Sequence, residues 1–283
     1  MLRRGAPAAA QSGRRRCVAI LDSPGLNNTF AILDFFSWVA TGEQTGEGFR
    51  YERVAGGEIR QWVPETRRQE YASFFSGVGA FVFTIGLAEV WQDRETGGVF
   101  WRGIPDEIFD ANRHVSRATT VEENAGNLRK ILDLVRRLNP KAPVILTLSP
   151  VPLMATFRDI SCLTADCVSK SILRVALDQV MSDRRSDVYY WPSFEIVKWV
   201  GANLPWSAYG EKDEARKVNH RLVKRIVDEF MTAFYTPHAR EIIRARVDEQ
   251  QLEDEVGAPD GCQADLPGPP SPDSREGEQG GGT

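Results

Sequence analysis

Serine and histidine are the residue types of this sequence that could together support nucleophilic catalysis, because an activated serine needs a neighbouring base to take its proton. The chain has only three histidines. His114 stands in a polar stretch before a predicted helix, His220 at the start of the last predicted helix, and His238 close to the C-terminal tail. Each one, taken alone, is interpreted as a surface histidine, so histidine positions alone do not identify a base.

Polar residues follow two apolar runs, where the carboxyl ends of parallel strands would form a binding edge. Thr84, Gly86 and Glu89 stand at the end of the first run, and Ser149 stands at the end of the second. Gly86 permits a backbone turn that a side chain would block, which would expose Thr84 and Glu89 above the sheet. The alternative is an ordinary strand-to-loop junction with a solvent-facing glutamate.

A third polar group, formed by Ser169, Lys170 and Ser171, is predicted to open a helix. The N-terminus of a helix can bind an anion or stabilise an oxyanion, so Ser169 and Lys170 are candidate pocket residues. Plain N-capping by the Ser169 hydroxyl explains the same pattern without any ligand.

Apolar runs and amphipathic patterns alternate along the chain and must position these residues. Short runs that are apolar on both faces predict buried parallel strands at residues 80–85, 143–148 and 187–191. Apolar residues at three- and four-residue spacing predict helices at residues 121–138, 170–180 and 221–235. This alternation predicts an α/β fold, a three-layer helix–sheet–helix sandwich with a mostly parallel sheet of the flavodoxin-like type.

The two ends of the chain differ in composition from this middle part. Residues 1–16 are rich in arginine and alanine, and residues 247–283 are rich in Asp, Glu, Pro and Gly without an aromatic residue. Such a tail cannot bury enough apolar surface to offset its ordering entropy. We predict a disordered basic lead at 1–16, a folded domain at 17–240 and a disordered acidic tail at 247–283.

Composition and charge argue against several classes of function. A net charge of −4 gives no basic stripe for general nucleic-acid binding, and the four cysteines show no metal-ligand spacing. No apolar run approaches the ~20 residues that span a bilayer, and the run at 17–21 is too short for a secretory signal. We expect a cytoplasmic protein with no cofactor, metal site, nucleic-acid partner or membrane partner, and the oligomeric state stays open.

Eight stretches of the chain, taken in order, match the motifs of one protein family. They are residues 25–30, 84–91, 100–102, 105–114, 147–153, 155–157, 168–174 and 190–195. Together they cover about residues 25–235, and several motifs in one order are more specific than any one of them. In this arrangement the chain resembles the GSCFA family, a branch of the SGNH/GDSL-type hydrolases.

The resemblance implies an SGNH-like fold and acyl-ester hydrolysis or acyl transfer on an acylated carbohydrate or another small ester. It places the family's third conserved block at Gly86 to Glu89, where glycine and a polar residue form part of an oxyanion hole. It also implies a pocket lined by Thr84, Glu89, His114 and Ser149. An early serine would be the nucleophile, and a late histidine would be the base.

Three departures from the family pattern put catalysis in doubt. The string Gly-Ser-Cys-Phe-Ala, which would carry the nucleophile, occurs nowhere in the sequence, so we expect the N-terminal part of the domain to be truncated or replaced. Lys217 takes the place of the late histidine, and Ala88 takes the place of a small polar residue. Ser23 is the candidate replacement nucleophile, and His220, one helical turn past Lys217, is the candidate base.

Two other hypotheses remain open. A non-catalytic remnant would keep the pocket and bind a glycan or a partner, with Trp91, Trp101 and Trp191 near strand ends as possible sugar-stacking rings. A flavodoxin-like nucleotide-binding domain is disfavoured because no Gly-rich phosphate loop follows a predicted strand. A reactive serine would separate the enzyme from the remnant, and nucleotide binding would indicate the third hypothesis.

Overall fold

The structure is a computed structural model that describes residues 26–43, 51–53, 59–61, 65–101, 103–211, 214–241 and 243–244. Its strands are β1 (Tyr51–Arg53), β2 (Ile59–Gln61), β3 (Phe81–Ile85), β4 (Glu89–Asp93), β5 (His114–Ala118), β6 (Val144–Leu148), β7 (Val188–Trp191), β8 (Tyr209–Glu211) and β9 (Glu214–Val218). Its α-helices are α1 (Thr29–Thr41), α2 (Glu65–Gly77), α3 (Val121–Leu138), α4 (Cys162–Ser182), α5 (Ser193–Glu195) and α6 (His220–Phe234).

The central sheet contains three parallel strands in the order β3–β6–β7. These are the three strands that the apolar runs predict, and each begins one residue after its predicted start. The middle strand, β6, is buried along its whole length, as expected for a strand with neighbours on both edges and packing on both faces. The predicted parallel sheet is therefore confirmed.

The first strand shows that the two faces of the sheet differ. Phe81, Phe83 and Ile85 of β3 point into the hydrophobic core, whereas Val82 between them is 50% exposed. The core on the Phe83 side is completed by apolar residues of α1, α3 and α4. On the opposite face, Trp191 of β7 packs edge-to-face on Phe230 of α6, with ring centroids 5.3 Å apart. Helices on either side of the sheet confirm the α/β sandwich.

Helix α3 begins and ends where its sequence signals predict. Thr120 is the N-cap, and its hydroxyl accepts a hydrogen bond from the Glu123 amide while the Glu123 carboxylate accepts one from the Thr120 amide. This reciprocal pair is a capping box. Asn139 is the C-cap, directly before Pro140. The helix therefore has the bounds predicted for it, residues 121–138.

Helix α4 corrects the prediction for residues 170–180. It begins at Cys162, with Ser161 as its N-cap, and it ends at Ser182. The first turns of the helix lack a continuous apolar stripe, and Leu163 within them is 82% exposed, so apolar spacing did not reveal them. Ser169 and Lys170 lie in the middle of the helix, and the prediction that they open it and form a helix N-terminal site is wrong.

Antiparallel hairpins were not predicted from the sequence. The largest one pairs β4 with β5, with Glu89 opposite Ala118 and Asp93 opposite His114. His114 is therefore a strand residue, and it is buried, so the interpretation of His114 as a surface histidine on a polar loop is wrong. A second hairpin joins β8 to β9, and a third joins β1 to β2.

The remaining sequence predictions concern the ends of the chain. Within the described ranges, no helix has both the length and the apolar character needed to cross a bilayer. The chain divides into two units, residues 1–230 and residues 231–283. The predicted lead at 1–16 and tail at 247–283 lie outside the described residues, so the domain boundaries at 17 and 240 stay predictions.

Candidate functional site

The turn after β3 is fixed by one backbone carbonyl. The amides of Gly86 and Leu87 both donate to the carbonyl oxygen of Asn27, at 2.8 and 3.0 Å. A Cβ atom at position 86 would lie 3.4 Å from this oxygen and 3.7 Å from the Cβ of Ser149. A side chain at position 86 would therefore meet the Asn27 carbonyl and Ser149 at ordinary van der Waals distances. The same contact shows that Ser149 lies beside the turn.

Two buried side chains in the middle of α4 complete the turn. The Ser169 hydroxyl accepts a hydrogen bond from the amide of Ala88 at 2.9 Å. The Lys170 ammonium donates to the carbonyl oxygen of Gly86 at 2.7 Å. Both side chains are almost fully buried, with exposed fractions of 1% and 3%. Residues 86–88 are therefore held by α4 on one side and by Asn27 on the other.

The ammonium of Lys170 is an unusual group for such a buried position. Burial lowers the pKa of Lys170 to about 8, and the nearby Asp166 carboxylate opposes this by attraction. The positive charges of Lys198 and Arg216 lower the pKa further. The edge of the sheet therefore lies in a region of clustered positive charge.

The loop after β6 is also held at this edge. The amide of Ser149 donates to the carbonyl oxygen of Ile85 at 2.8 Å, which ties the end of β6 to the end of β3. The Ser149 hydroxyl accepts from the amide of Val151 at 3.3 Å. Asp166 of α4 accepts from the amide of Leu153 at 2.9 Å. The loop is thus anchored at both of its ends.

The β8–β9 hairpin contacts the same loop through two long side chains. The hydroxyl of Tyr209 donates to the carbonyl oxygen of Pro150 at 2.8 Å. The guanidinium of Arg216 donates to the carbonyl oxygen of Pro152 at 2.8 and 3.1 Å. Burial, together with the negative charge of Asp166, raises the pKa of Tyr209 to about 12.

Glu89 lies at the start of β4, next to the turn, and contacts the loop after β6. Its Oε2 atom accepts a hydrogen bond from the Thr156 hydroxyl at 2.8 Å. Its Oε1 atom lies 3.6 Å from Nη1 of Arg158, which is an ion-pair distance. Both of these atoms are buried without a hydrogen-bond partner. Glu89 and Ser149 therefore belong to the same edge of the sheet, as the resemblance implied.

His114 is not brought to this edge. It pairs with Asp93 at the far end of the β4–β5 hairpin, four residues from Glu89, which corresponds to about 13 Å along a strand. Its Nδ1 atom accepts from the amide of Asp110 at 3.0 Å, and its ring packs edge-to-face on Phe100. These contacts close a loop and leave His114 distant from Ser149.

The other candidates occupy separate places. Thr84 is exposed on the sheet face opposite the core, in register with Thr147. Lys217 is exposed on β9, and His220 is exposed at the first position of α6. Ser23 lies outside the described residues. The structure therefore brings together Gly86, Glu89, Ser149, Ser169 and Lys170, and it does not bring His114 to them.

The three candidate sugar-stacking tryptophans differ in accessibility. Trp101 is buried and donates from its ring nitrogen to Asp34 at 2.9 Å, so it is a core residue. Trp191 is half-buried against Phe230. Trp91 is half-buried between Phe109 and Phe157, with ring centroids 5.5 and 4.7 Å away. Trp91 is the ring of the three that stands next to exposed apolar side chains.

Two residues of the site were missed in the sequence. Asp166 stands three and four residues before Ser169 and Lys170, which places all three on one face of a helix. That spacing would have revealed Asp166 if the helix had been predicted to begin at Cys162. Asn27 contributes only a backbone carbonyl, for which its residue type carries no signal.

The assembled edge suits recognition of a polar or negatively charged ligand. Ser149 supplies a partly exposed hydroxyl, and the buried Ser169 and Lys170 hold the turn beside it. None of the described histidine side chains is a hydrogen-bond partner of Ser149 or Ser169. The described residues also contain no group of three or more His, Cys, Asp or Glu side chains that could hold a metal ion.

A comparison with protein families gives one match. The sequence model of the GSCFA family matches residues 59–230, which is more than half of the chain. This range includes β3, the turn at Gly86, β6, α4 and the β8–β9 hairpin. No curated protein matches the chain.

Proposed function

Since the chain belongs to the GSCFA family, we propose that it takes an acyl ester of a carbohydrate at the carboxyl edge of β3 and β6 and hydrolyses or transfers the acyl group. The described edge serves as the floor of this site. The nucleophile comes from outside the described residues, and Ser23 is its candidate.

One observation carries this proposal. Gly86, Ser149, Ser169 and Lys170 come from three separate segments and meet at one turn, through hydrogen bonds of 2.7 and 2.9 Å and a close approach of Ser149 to Gly86. Active sites of open α/β sheets lie at this edge. A rigid turn of this kind can position an ester without reorganisation during the reaction.

The chemistry then assigns roles to specific side chains. The Ser23 hydroxyl attacks the ester carbonyl, His220 takes the hydroxyl proton, and the sugar alcohol leaves with that proton. Water or a second alcohol then releases the acyl group from the serine. Lys170 keeps the Gly86 carbonyl in place and contributes positive charge to the edge where negative charge develops.

Ester hydrolysis by the full chain tests this proposal. We expect measurable cleavage of acetylated monosaccharides, and we expect Ser23→Ala and His220→Gln each to lower kcat/KM by about 10³-fold or more, because nucleophile and base act as a unit. Ser171→Ala is the matched control, since Ser171 is an exposed serine bonded to its own helix. Equal rates in wild type and both variants would contradict the assignment.

A second candidate function is binding without catalysis, and a specific observation favours it. The amides of Gly86, Leu87 and Ala88 all donate to acceptors inside the protein, so none of the three is free to stabilise an oxyanion. Lys217 also stands where the family has its late histidine. If the chain only binds, acylated sugars bind to the folded chain but are not cleaved. An equilibrium binding measurement made alongside the hydrolysis assay distinguishes this from catalysis.

A further inference from the structure

An open cavity of about 500 Å³ lies along the segment that follows β7. Its volume falls within the range of small-molecule sites, about 300–1,000 Å³. Six of the residues that line it combine apolar, aromatic and cationic chemistry: Val197, Lys198, Leu204, Pro205, Trp206 and Tyr209. Neither the sequence motifs nor the proposed ester site accounts for this cavity.

The wall of the cavity contains a π-helical turn and a close-packed glycine. It begins at a π-helical turn, Ile196–Val200, a feature found frequently at functional sites. Gly201 follows, and a Cβ atom at this position would lie 2.9 Å from the Cβ of Ala208 and 3.2 Å from Cδ2 of Leu222. Only glycine fits this contact without a shift of its neighbours. Gly201 therefore packs closely against Ala208, which also lines the cavity, and against Leu222 of α6.

Lys198 gives the cavity a positive charge. Its ammonium lies 5.1 Å from the ring centroid of Tyr209 and 6.0 Å from that of Phe194. Within the part of the chain that the structure describes, Lys198 has these ring contacts and no salt bridge. Lys198 and Arg216 are both close enough to Lys170 for their positive charges to lower its pKa, and the Asp166 carboxylate acts against them at Lys170. Asp166 also raises the pKa of Tyr209, so three positive charges gather around this one carboxylate. An anionic ligand would find favourable potential here.

The cavity adjoins the candidate ester site through Tyr209. The ring of Tyr209 lines the cavity, while its hydroxyl donates to the carbonyl oxygen of Pro150 at 2.8 Å. Pro150 directly follows Ser149 at the sheet edge. A ligand with its ester at this edge can therefore place a neighbouring unit in the cavity.

We propose that this cavity binds an acidic sugar, a carbohydrate unit that carries a carboxylate or a phosphate group. Lys198 pairs with the anionic group, and Trp206 and Tyr209 provide the apolar ring faces that pack against the C–H groups of a sugar. The choice of a carbohydrate rests on the proposed function, whereas the choice of an anion rests on Lys198 and the positive charges near it.

Calorimetric titration of the full chain with small probes tests the proposal without any need for turnover. The probes are glucuronate, glucose 6-phosphate, neutral glucose and hexanoate. We expect saturable binding of one or both acidic sugars and at least tenfold weaker binding of glucose and hexanoate. The acidic sugar that binds with the higher affinity shows whether the cavity prefers a carboxylate or a phosphate group. Equal binding of glucose or hexanoate, or no saturable binding of either acidic sugar, would overturn the proposal.

Two variants locate the binding at this cavity. Lys198→Gln should weaken binding of the acidic sugar about tenfold, the loss expected for one hydrogen bond to a charged group. Ala202→Trp should abolish binding by filling the cavity while it keeps Lys198. Lys130→Gln is the control, because Lys130 is an exposed lysine on α3. An equal effect of the Lys198 and Lys130 substitutions would overturn the proposal.

The outcome separates this inference from the proposed function. If the chain cleaves acylated sugars but does not bind acidic sugars, the cavity proposal is wrong and the proposed function stands. If the chain binds acidic sugars but has no esterase activity, the proposed catalysis is wrong and the cavity proposal stands.

Discussion

Lys170 is the residue on which the geometry of the candidate site depends most directly. Its ammonium is buried, donates to the Gly86 carbonyl and lies near other positive charges. The sequence identified Lys170 as a candidate, but for a different reason, since the predicted helix N-terminus does not exist there. Burial, which sequence reasoning could not supply, gives Lys170 its altered pKa.

The pKa of Lys170 makes a prediction about stability and pH. Burial lowers this pKa from its ordinary value of 10.5 to about 8, so the unfolded chain holds one more proton than the folded chain between these values. Stability rises with pH wherever the unfolded state binds more protons. We therefore expect the free energy of unfolding of wild type to rise relative to that of Lys170→Met from about pH 8 to about pH 10.5.

Urea denaturation at several pH values across that interval measures this difference. Lys130→Met is the matched control, because Lys130 is exposed. We expect the difference in free energy of unfolding between wild type and Lys130→Met to stay constant across these pH values. A difference between wild type and Lys170→Met that stays constant or falls as pH rises would contradict the description of Lys170 as a buried charge.

Ser169 provides a second test at the level of one residue. Replacing it with alanine leaves the buried amide of Ala88 without its acceptor, which should lower the free energy of unfolding by about 1–3 kcal/mol. Ser171→Ala, on the exposed side of the same helix, should change it by less than about 0.5 kcal/mol. Urea denaturation of both variants measures these changes. Equal free energies of unfolding for the two variants would show that the hydrogen bond to the Ala88 amide contributes little to stability.

At the scale of elements, the capping box of α3 predicts a contrast between two adjacent glutamates. Glu123 accepts hydrogen bonds from the Thr120 amide and from the Arg117 guanidinium, whereas Glu122 is exposed. Glu123→Ala should cost about 1–2 kcal/mol and Glu122→Ala less than about 0.5 kcal/mol, measured by thermal or urea unfolding. Similar losses for the two variants would argue against the cap.

The same carboxylate adds a pH dependence. Burial alone would raise the pKa of Glu123, but the hydrogen bonds from Arg117 and Thr120 hold it below its ordinary value of 4.5. The stabilisation is therefore present above about pH 4.5 and is lost as the pH falls through the lower pKa of the folded state. The gap in stability between wild type and Glu123→Ala should narrow under acid conditions.

Elements with local signals were predictable, and elements defined by distant contacts were not. The strands at β3, β6 and β7 are continuous apolar runs, and α3 carries its own cap, so their residues alone indicate them. The β4–β5 hairpin and the first turns of α4 have no clear apolar period. Their positions depend on partners far along the chain, such as Asp166 with Leu153.

The residues of the candidate site divide in the same way, into those that local sequence signals predict and those that distant contacts place. Gly86, Glu89 and Ser149 were predicted because they follow apolar runs, and strand ends meet at one edge. His114 was assigned to the pocket from its motif, but strand pairing carries it to the far end of a hairpin. The cavity at Lys198 was not predicted, because its wall combines β8 with the segment after β7.

At the scale of the whole molecule, composition predicts that the two ends of the chain are open to proteases. Glu-C should cut within residues 247–283 and trypsin within residues 1–16 well before either cuts the strands and helices of the domain. Mass spectrometry of the limit fragment measures this. A tail that survives as long as the domain would contradict the predicted boundary at 240–247.

The proposed function makes one claim about the whole protein, that it carries an activated serine for acyl-ester chemistry. The most direct measurement is to label the purified, folded chain with a fluorophosphonate probe and to map the modified residue by peptide mass spectrometry. We expect a single labelled serine, Ser23, and loss of labelling in Ser23→Ala and His220→Gln but not in Ser171→Ala. A folded chain that no probe labels would contradict the catalytic claim and leave a binding protein.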